Sequence, residues 1–354
     1  SPWKYLGWTI TQQTIWPQKL ELEVCLKTLH DAQKLLGDLQ WLKPIIGIPN
    51  ELLQTLRPLL KGVDPAASVS ATAEQTKALQ QIVNCIERGF VSRCILDLPI
   101  TFTLWNTPSH LLGALTQVQK KTGEHRVLEW LSPPLQARKT ITRKTISTNI
   151  EQIATLIRKG RMRIIEVTGM ETPEIYLPTS KEDLDWYLVN SMDLQAALLG
   201  AGVQVHTGPL IPQQLQWLGE WDWVTKPLRS DQPIPEALTV FTDAGKKSRT
   251  AAVTWKEGTV WKYKLLSADA ADSLQTLELF AIVWALNYFS KAVNVVTDSF
   301  YAAGVAQRIE DATVKEVQNK RLYELLLQLQ RTLRARNAPY CIIHIRSHKW
   351  DVGL

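Results

Sequence analysis

The chain has 354 residues, length for two or three domains, and its 45% hydrophobic content supplies buried cores and excludes a disordered segment. No apolar run reaches the roughly 18 residues a membrane span needs, so membrane-spanning functions are set aside. Lys and Arg number 40 against 34 Asp and Glu, a net charge of +6 whose clustering says more than its size.

Residues 1 to 17 alternate as strands do, with Trp3, Tyr5, Trp8 and Ile10, and Pro17 closes them. They read as strand rather than signal peptide, and no Met opens them, so the chain is expected to be excised from something longer. From Leu20 to Leu60 the pattern is helical, with Leu29, Leu35, Leu36, Leu39 and Leu42 at three- and four-residue spacing and a break at Gly47 and Pro49. Residues 62–73 read as a loop and 74–89 as another helix, together a helical domain. From about Ser92 the texture becomes α/β, with Cys94–Leu98 and Thr101–Trp105 expected as strands. Later apolar runs follow at Met162–Val167 and Val203–His206, beside a helical stretch Leu184–Leu199. Pro227–Pro235, with three prolines, reads as a linker. Beyond it come strands at Leu238–Thr242, Ala251–Trp255 and Val260–Leu266, a helix from Asp272 to Ser290, and a strand Val293–Thr297. Helices at Ser299–Gln307 and Thr313–Arg336 and a strand Tyr340–Ile345 complete the series. Three adjacent strands followed by helix–strand alternation predict a five-stranded mixed sheet with flanking helices. No internal repeat is visible in the sequence.

Cys25, Cys85, Cys94 and Cys341 form no C-x-x-C pair, and buried reduced thiols are expected. Arg138, Lys139, Arg143, Lys144, Arg158, Lys159, Arg161 and Arg163 crowd one stretch holding the single acid Glu151, and Arg331, Arg334, Arg336, Arg346 and Lys349 form a second basic group. Both suit a phosphate-tracking surface or an ordinary solvated face; charge alone does not separate them.

Three acids stand out. Asp243 follows the apolar Val240–Phe241–Thr242, and Asp298 follows Val295–Val296–Thr297, where open α/β sheets place ligands. Glu278 shares a helical face with Leu274, Ala281, Ile282 and Ala285. A bare carboxylate buried there costs several kcal/mol unless paired or bound to a cation, and no Lys or Arg lies on that face. Each Asp alone is as well read as a turn former or helix cap, and the three could serve salt bridges. Together they suit Mg²⁺ or Mn²⁺, which take hard oxygen ligands and activate water for phosphodiester cleavage.

Val240–Phe241–Thr242–Asp243–Ala244, Leu277–Glu278–Leu279 and Val296–Thr297–Asp298–Ser299–Phe300–Tyr301–Ala302 resemble, in order and spacing, the motifs of retroviral ribonuclease H. His344–Ile345–Arg346–Ser347–His348 is similar to the segment bearing that family's mobile active-site histidine, which would be His348. Trp3–Trp8 resembles the primer-grip hairpin of a polymerase palm, and Leu29–Trp41 a thumb helix that tracks the minor groove. The resemblance, to the C-terminal part of Pol from endogenous, beta-type retroviruses, covers essentially the whole chain.

It implies an α/β multidomain protein: the end of the palm at 1–18, a thumb at 19–91, a connection domain at 92–226, a linker at 227–235, and a ribonuclease H domain at 236–354. It implies catalytic Asp243, Glu278, Asp298 and His348, the three acids holding Mg²⁺ or Mn²⁺ for hydrolysis of the RNA strand of a hybrid. Tyr5, Leu6, Gly7, Gln33, Gly37 and Trp41 would face the template–primer duplex, and Ser273, Gln275 and Tyr301 the DNA strand. Gln33, Gly37 and Trp41 share one helical face on spacing alone. Gly37 reads alternatively as a helix-packing glycine and Tyr301 as core. RNA–DNA hybrid, a second polymerase subunit or the rest of Pol would be the partners, with no membrane, in cytoplasm or virion core.

The sequence departs from the family in two places. The palm motif with the polymerase aspartates is absent. The family's fourth carboxylate follows the histidine by ten or more residues, whereas the chain stops six after His348, so the ribonuclease H domain is expected to be truncated and its activity weak. A structural or hybrid-binding remnant without cleavage is the alternative.

Overall fold

Thr28 decides where the first long helix begins. Its hydroxyl accepts from the Asp31 amide (3.2 Å) while Asp31 accepts from the Thr28 amide (2.9 Å), a reciprocal cap. In this computed structural model, residues 2–18, 26–107, 111–133, 147–200, 202–314 and 317–346 are described. The helix therefore starts at Leu29, not Leu20, and residues 19–25 lie outside the description. The chain divides into two units, residues 1–136 with 150–225, and residues 137–149 with 226–354.

The first unit opens with strands β1 (Trp3–Tyr5), β2 (Trp8–Ile10) and β3 (Thr14–Pro17). Leu6 and Gly7 join β1 to β2 with φ of 44° and 83°, the two positive values that a right-twisted two-residue hairpin requires. Helix α1 (Leu29–Ile46) ends at Gly47 in the left-handed region, then come α2 (Asn50–Leu56) and α3 (Ala73–Arg88), capped by Thr72 and Gln75. Leu39, Leu42, Leu56 and Ile82 are buried between them, each such side chain contributing about 1.5–3 kcal/mol. Strand β4 (Val91–Ser92) closes the small sheet beside β3.

A sheet in the order β7-β6-β5-β8-β9 follows, built from β5 (Thr101–Asn106), β6 (Leu111–Gln119), β7 (Glu124–Leu131), β8 (Glu174–Leu177) and β9 (Gln204–Thr207). Helix α4 (Asn149–Thr168) packs on it, and α5 (Lys181–Asn190) and α6 (Met192–Leu198) stand between β8 and β9. One apolar run is helical and one expected strand is absent. Met162–Val167 lies inside α4, whose buried Ile153, Ile157, Gly160 and Ile164 follow helical spacing. Cys94–Leu98 is irregular, and the buried Gln117 holds it by donating to the Ile95 and Leu98 carbonyls (2.7 and 2.8 Å). Cys94 is exposed, against expectation, while Cys85 and Cys341 are buried and free.

The second unit's sheet has the order β12-β11-β10-β13-β14, from β10 (Leu238–Gly245), β11 (Thr250–Glu257), β12 (Val260–Ser267), β13 (Val293–Thr297) and β14 (Tyr340–His344). Helices α7 (Leu274–Tyr288), α8 (Phe300–Ala306) and α9 (Lys320–Arg334) complete it, α9 beginning later than expected with Asn319 as its cap. Their core joins Val240, Val253, Ile282, Leu286, Val295 and Leu329. The predicted five-stranded mixed sheet is present. The proline-rich segment is held along β14 rather than hanging free: Ser230 donates to the Tyr340 carbonyl (2.7 Å), and Ile234 and Asn294 exchange two hydrogen bonds. Among the described residues no helix is long and apolar enough to cross a membrane.

Candidate active site and nucleic-acid face

β10 and β13 run parallel with Thr242 opposite Thr297, and the Thr242 hydroxyl donates to the Val296 carbonyl (3.1 Å). Asp298 is the first residue past β13 and is half-buried. Asp243 is not at a loop start as expected. β10 continues to Gly245 because Asp243, Ala244 and Gly245 pair with Ala252, Ala251 and Thr250 of β11. Its carboxylate, on an exposed residue, accepts from the Ala244 amide (2.8 Å).

Glu278 comes from α7, which Ser273 caps by accepting from the Thr276 amide (3.2 Å). Leu277, Leu279, Ala281 and Ile282 around it are buried, whereas Leu274, one turn earlier, is exposed, so Glu278 is half-buried at the open end of the packed face. Burial raises its carboxyl above the ordinary value; a Ser299 hydrogen bond pulls it down, and the charges of Asp298 and Asp243 push it up again. The three acids thus stand in one another's field. Among the described residues, no three Asp, Glu, His or Cys side chains already form a metal-holding group, so the expected chelating cluster is not drawn together. Like charges gain nothing by approaching one another, since their repulsion grows as the separation shrinks.

His348 and Asp351 lie outside the described residues. His344, a site neighbour the sequence did not single out, ends β14; its Nε2 lies 3.2 Å from the Asp298 carbonyl and its ring meets Phe300 edge-on. The parallel pairing of Thr297 with His344 puts it there, a relation between residues 47 apart that no local pattern carries.

Ser273 and Gln275 line a cavity of about 350 Å³ together with Lys246 and Arg249 from the β10–β11 turn. Asp272, also on its wall, is engaged by Arg321 (2.9 Å), which leaves the two cations to set the cavity's sign. Tyr301 packs against the core, as its alternative reading held, yet among the described residues its buried hydroxyl meets no hydrogen-bond partner.

On α1, Gln33, Gly37 and Trp41 are all exposed. A Cβ on Gly37 would meet nothing within 4 Å, which removes the helix-packing reading among the described residues. Trp8 of β2 stacks on Trp41 (5.9 Å between centroids), and Tyr5 and Leu6 at the hairpin tip are exposed. The basic stretch fares differently. Residues 138–144 lie outside the description, Arg161 is bound to Glu171 (2.7 Å), and Arg163 to Glu129 and Glu166 (3.0 and 3.2 Å). In the second group, Arg334 and Arg336 are spent on backbone carbonyls. These four arginines are engaged within the fold.

Three family profiles match the chain: a reverse transcriptase thumb domain over residues 17–80, an ERVK-8-like, RNaseH-like domain over 108–209, and RNase H over 235–353. The Gag-Pro-Pol polyprotein of sheep pulmonary adenomatosis virus is 31% identical over 98% of this chain, that of Mason-Pfizer monkey virus 30%, and that of mouse mammary tumor virus (strain BR6) 29%, each likewise over 98%. Domain by domain, the chain is similar to the thumb-to-RNase H region of retroviral Pol polyproteins. It spans about a fifth of those polyproteins, 19% of each. The three acids belong to the RNase H domain, a hydrolytic nuclease domain, and the α1 face belongs to the thumb.

Proposed function

We propose that this chain binds RNA–DNA hybrid and hydrolyses its RNA strand at Asp243, Glu278 and Asp298. The observation that carries the reading is the placement of half-buried Glu278 on α7 close enough to Asp243 and Asp298, just past the paired stretch of β10 and β13, for their charges to act on it. Three carboxylates gathered near Glu278, with hard oxygen donors and, among the described residues, no Lys or Arg charge acting on it, fit a divalent ion of the Mg²⁺ or Mn²⁺ type. When bound, such ions supply an activated water and charge neutralisation at the scissile phosphate.

The chain's own groups do the rest. Asp243 and Asp298 present oxygens from adjacent parallel strands, and Ser299 orients Glu278 through its hydroxyl. Lys246, Arg249, Ser273 and Gln275 offer donors to a phosphate of the DNA strand in their cavity. His348, on the resemblance, moves a proton near the leaving group. On the thumb, Gly37 lets a duplex backbone approach α1, flanked by Gln33, Trp41 and the hairpin residues Tyr5, Leu6 and Gly7. The remainder of Pol or a second polymerase subunit would accompany it.

The test is cleavage of hybrid labelled in the RNA strand, with Mg²⁺ or Mn²⁺, by the wild type and by Asp298→Asn. RNA products from the wild type alone support the reading. Binding without cleavage under either metal would leave a structural, hybrid-binding role and overturn the hydrolytic one.

A further inference from the structure

Lys43, in the last turn of α1, and Lys159, on α4, converge on the two residues that follow β7. Lys159 Nζ donates to the Ser132 carbonyl (3.1 Å). Lys43 Nζ donates to Oδ1 of the buried Asn50, whose Nδ2 in turn donates to the Pro133 carbonyl (2.5 Å). Among the described residues neither lysine forms an ion pair. Each ammonium carries three donors and shows one in use, so both retain protons for an acceptor.

A purely structural role explains this poorly. Lys43 complements the α1 dipole, and either carbonyl-directed bond would be served as well by a neutral amide. Burial and the nearby charge of Lys159 act against the Lys43 ammonium, and Glu51 of α2 offsets them only in part, so a further anion would be favoured there. We propose that Lys43 and Lys159 hold a backbone phosphate of the bound duplex, a subsite separate from the α1 face and from the RNase H domain. It rests on the hybrid-binding reading above.

The experiment measures hybrid affinity of the full chain against salt for wild type and Lys43→Gln/Lys159→Gln. One lost phosphate contact should make the slope of log K against log salt shallower by about 0.9 and weaken binding about tenfold at low salt. A pH arm reads Lys43 itself. Burial first, then the charge of Lys159, bring it down to about 8, with Glu51 of α2 opposing them. Wild-type affinity should therefore fall more steeply between pH 7 and 9 than that of Lys43→Gln. Should the double variant unfold, the exposed Lys159→Gln alone should still lower the slope, and Lys43→Arg should preserve it. Salt slopes parallel to wild type in a folded variant overturn the subsite and leave hybrid binding standing. A wild type whose affinity ignores salt overturns both.

Discussion

The two five-stranded sheets, β7-β6-β5-β8-β9 and β12-β11-β10-β13-β14, share strand order and every strand direction. In each, three antiparallel strands are followed by two parallel ones, with a long helix before the first crossover strand. Where β13 runs out into Asp298, β8 runs out into Pro178. Where β10 carries Asp243 past its pairing with β13, β5 carries Leu104 and Trp105, both buried, with the indole Nε1 bound to the Leu210 carbonyl (3.1 Å). α7 brings Glu278 to its sheet, whereas α4 lies so close to its own that a Cβ on Gly160 would stand 2.4 Å from the Phe102 ring. One topology is thus filled by packing in one sheet and carries three acidic residues in the other, and the proposed chemistry lies with those few positions rather than with the fold.

The largest expected effect sharpens that contrast. Asp298→Asn should lower hybrid cleavage by on the order of 10²–10³-fold or more, with hybrid affinity unchanged or slightly improved. Cleavage rates paired with equilibrium binding check it. Next is an attempt to break the contrast by putting an acid on α4. Gly160→Glu should destabilise the first unit by about 3 kcal/mol or more, because the side chain has no space against Phe102 and its charge no partner. Denaturant unfolding reads this; a folded, unperturbed variant would show that the packed sheet is not closed to carboxylates.

Smaller effects follow. Gly37→Ala should stabilise α1 by up to about 1 kcal/mol, since nothing lies within 4 Å of the new methyl, while weakening duplex binding; the opposed signs separate a contact face from a bare surface. Trp105→Phe removes the bond to Leu210 and should cost about 1 kcal/mol, with cleavage untouched. Glu278→Gln bears on pH. The Glu278 carboxyl is raised in the folded state, so the fold keeps that proton longer than the unfolded chain does. Stability therefore falls as pH rises from the ordinary value of 4.5 through the folded one. The variant should lose this fall, seen as a flatter melting temperature against pH across that window.

How much of this was legible depended on how local each cause is. The strands and helices of the second unit follow alternation and helical spacing closely, and the three acids stood out because residue type and pattern disagreed, most plainly at Glu278. Met162–Val167 misled because a short apolar run fits a strand or a buried helix equally; the spacing of Ile153, Ile157, Gly160 and Ile164 was the better signal. The start of α1 is written in Thr28 and Asp31, a capping pattern that sets the boundary more sharply than hydrophobic spacing does. Other features have no local trace. Gln117 holding the 94–98 turn joins residues about twenty apart, His344 beside Asp298 needs the β13–β14 register, and the matching topology of the two sheets leaves no repeat in the sequence.

The central claim is that the carboxylates of the second sheet make a hydrolytic site while the first sheet, of the same topology, has none. Its most direct test is the cut pattern of an RNA–DNA hybrid incubated with the chain and Mg²⁺ or Mn²⁺. Wild type is compared with Asp243→Asn, Glu278→Gln and Asp298→Asn, each shown to be folded and to bind hybrid. Cleavage by the wild type that each of the three substitutions removes is the predicted result. Cleavage that survives any of them unchanged, or wild-type protein that binds hybrid and never cuts it, would contradict the account.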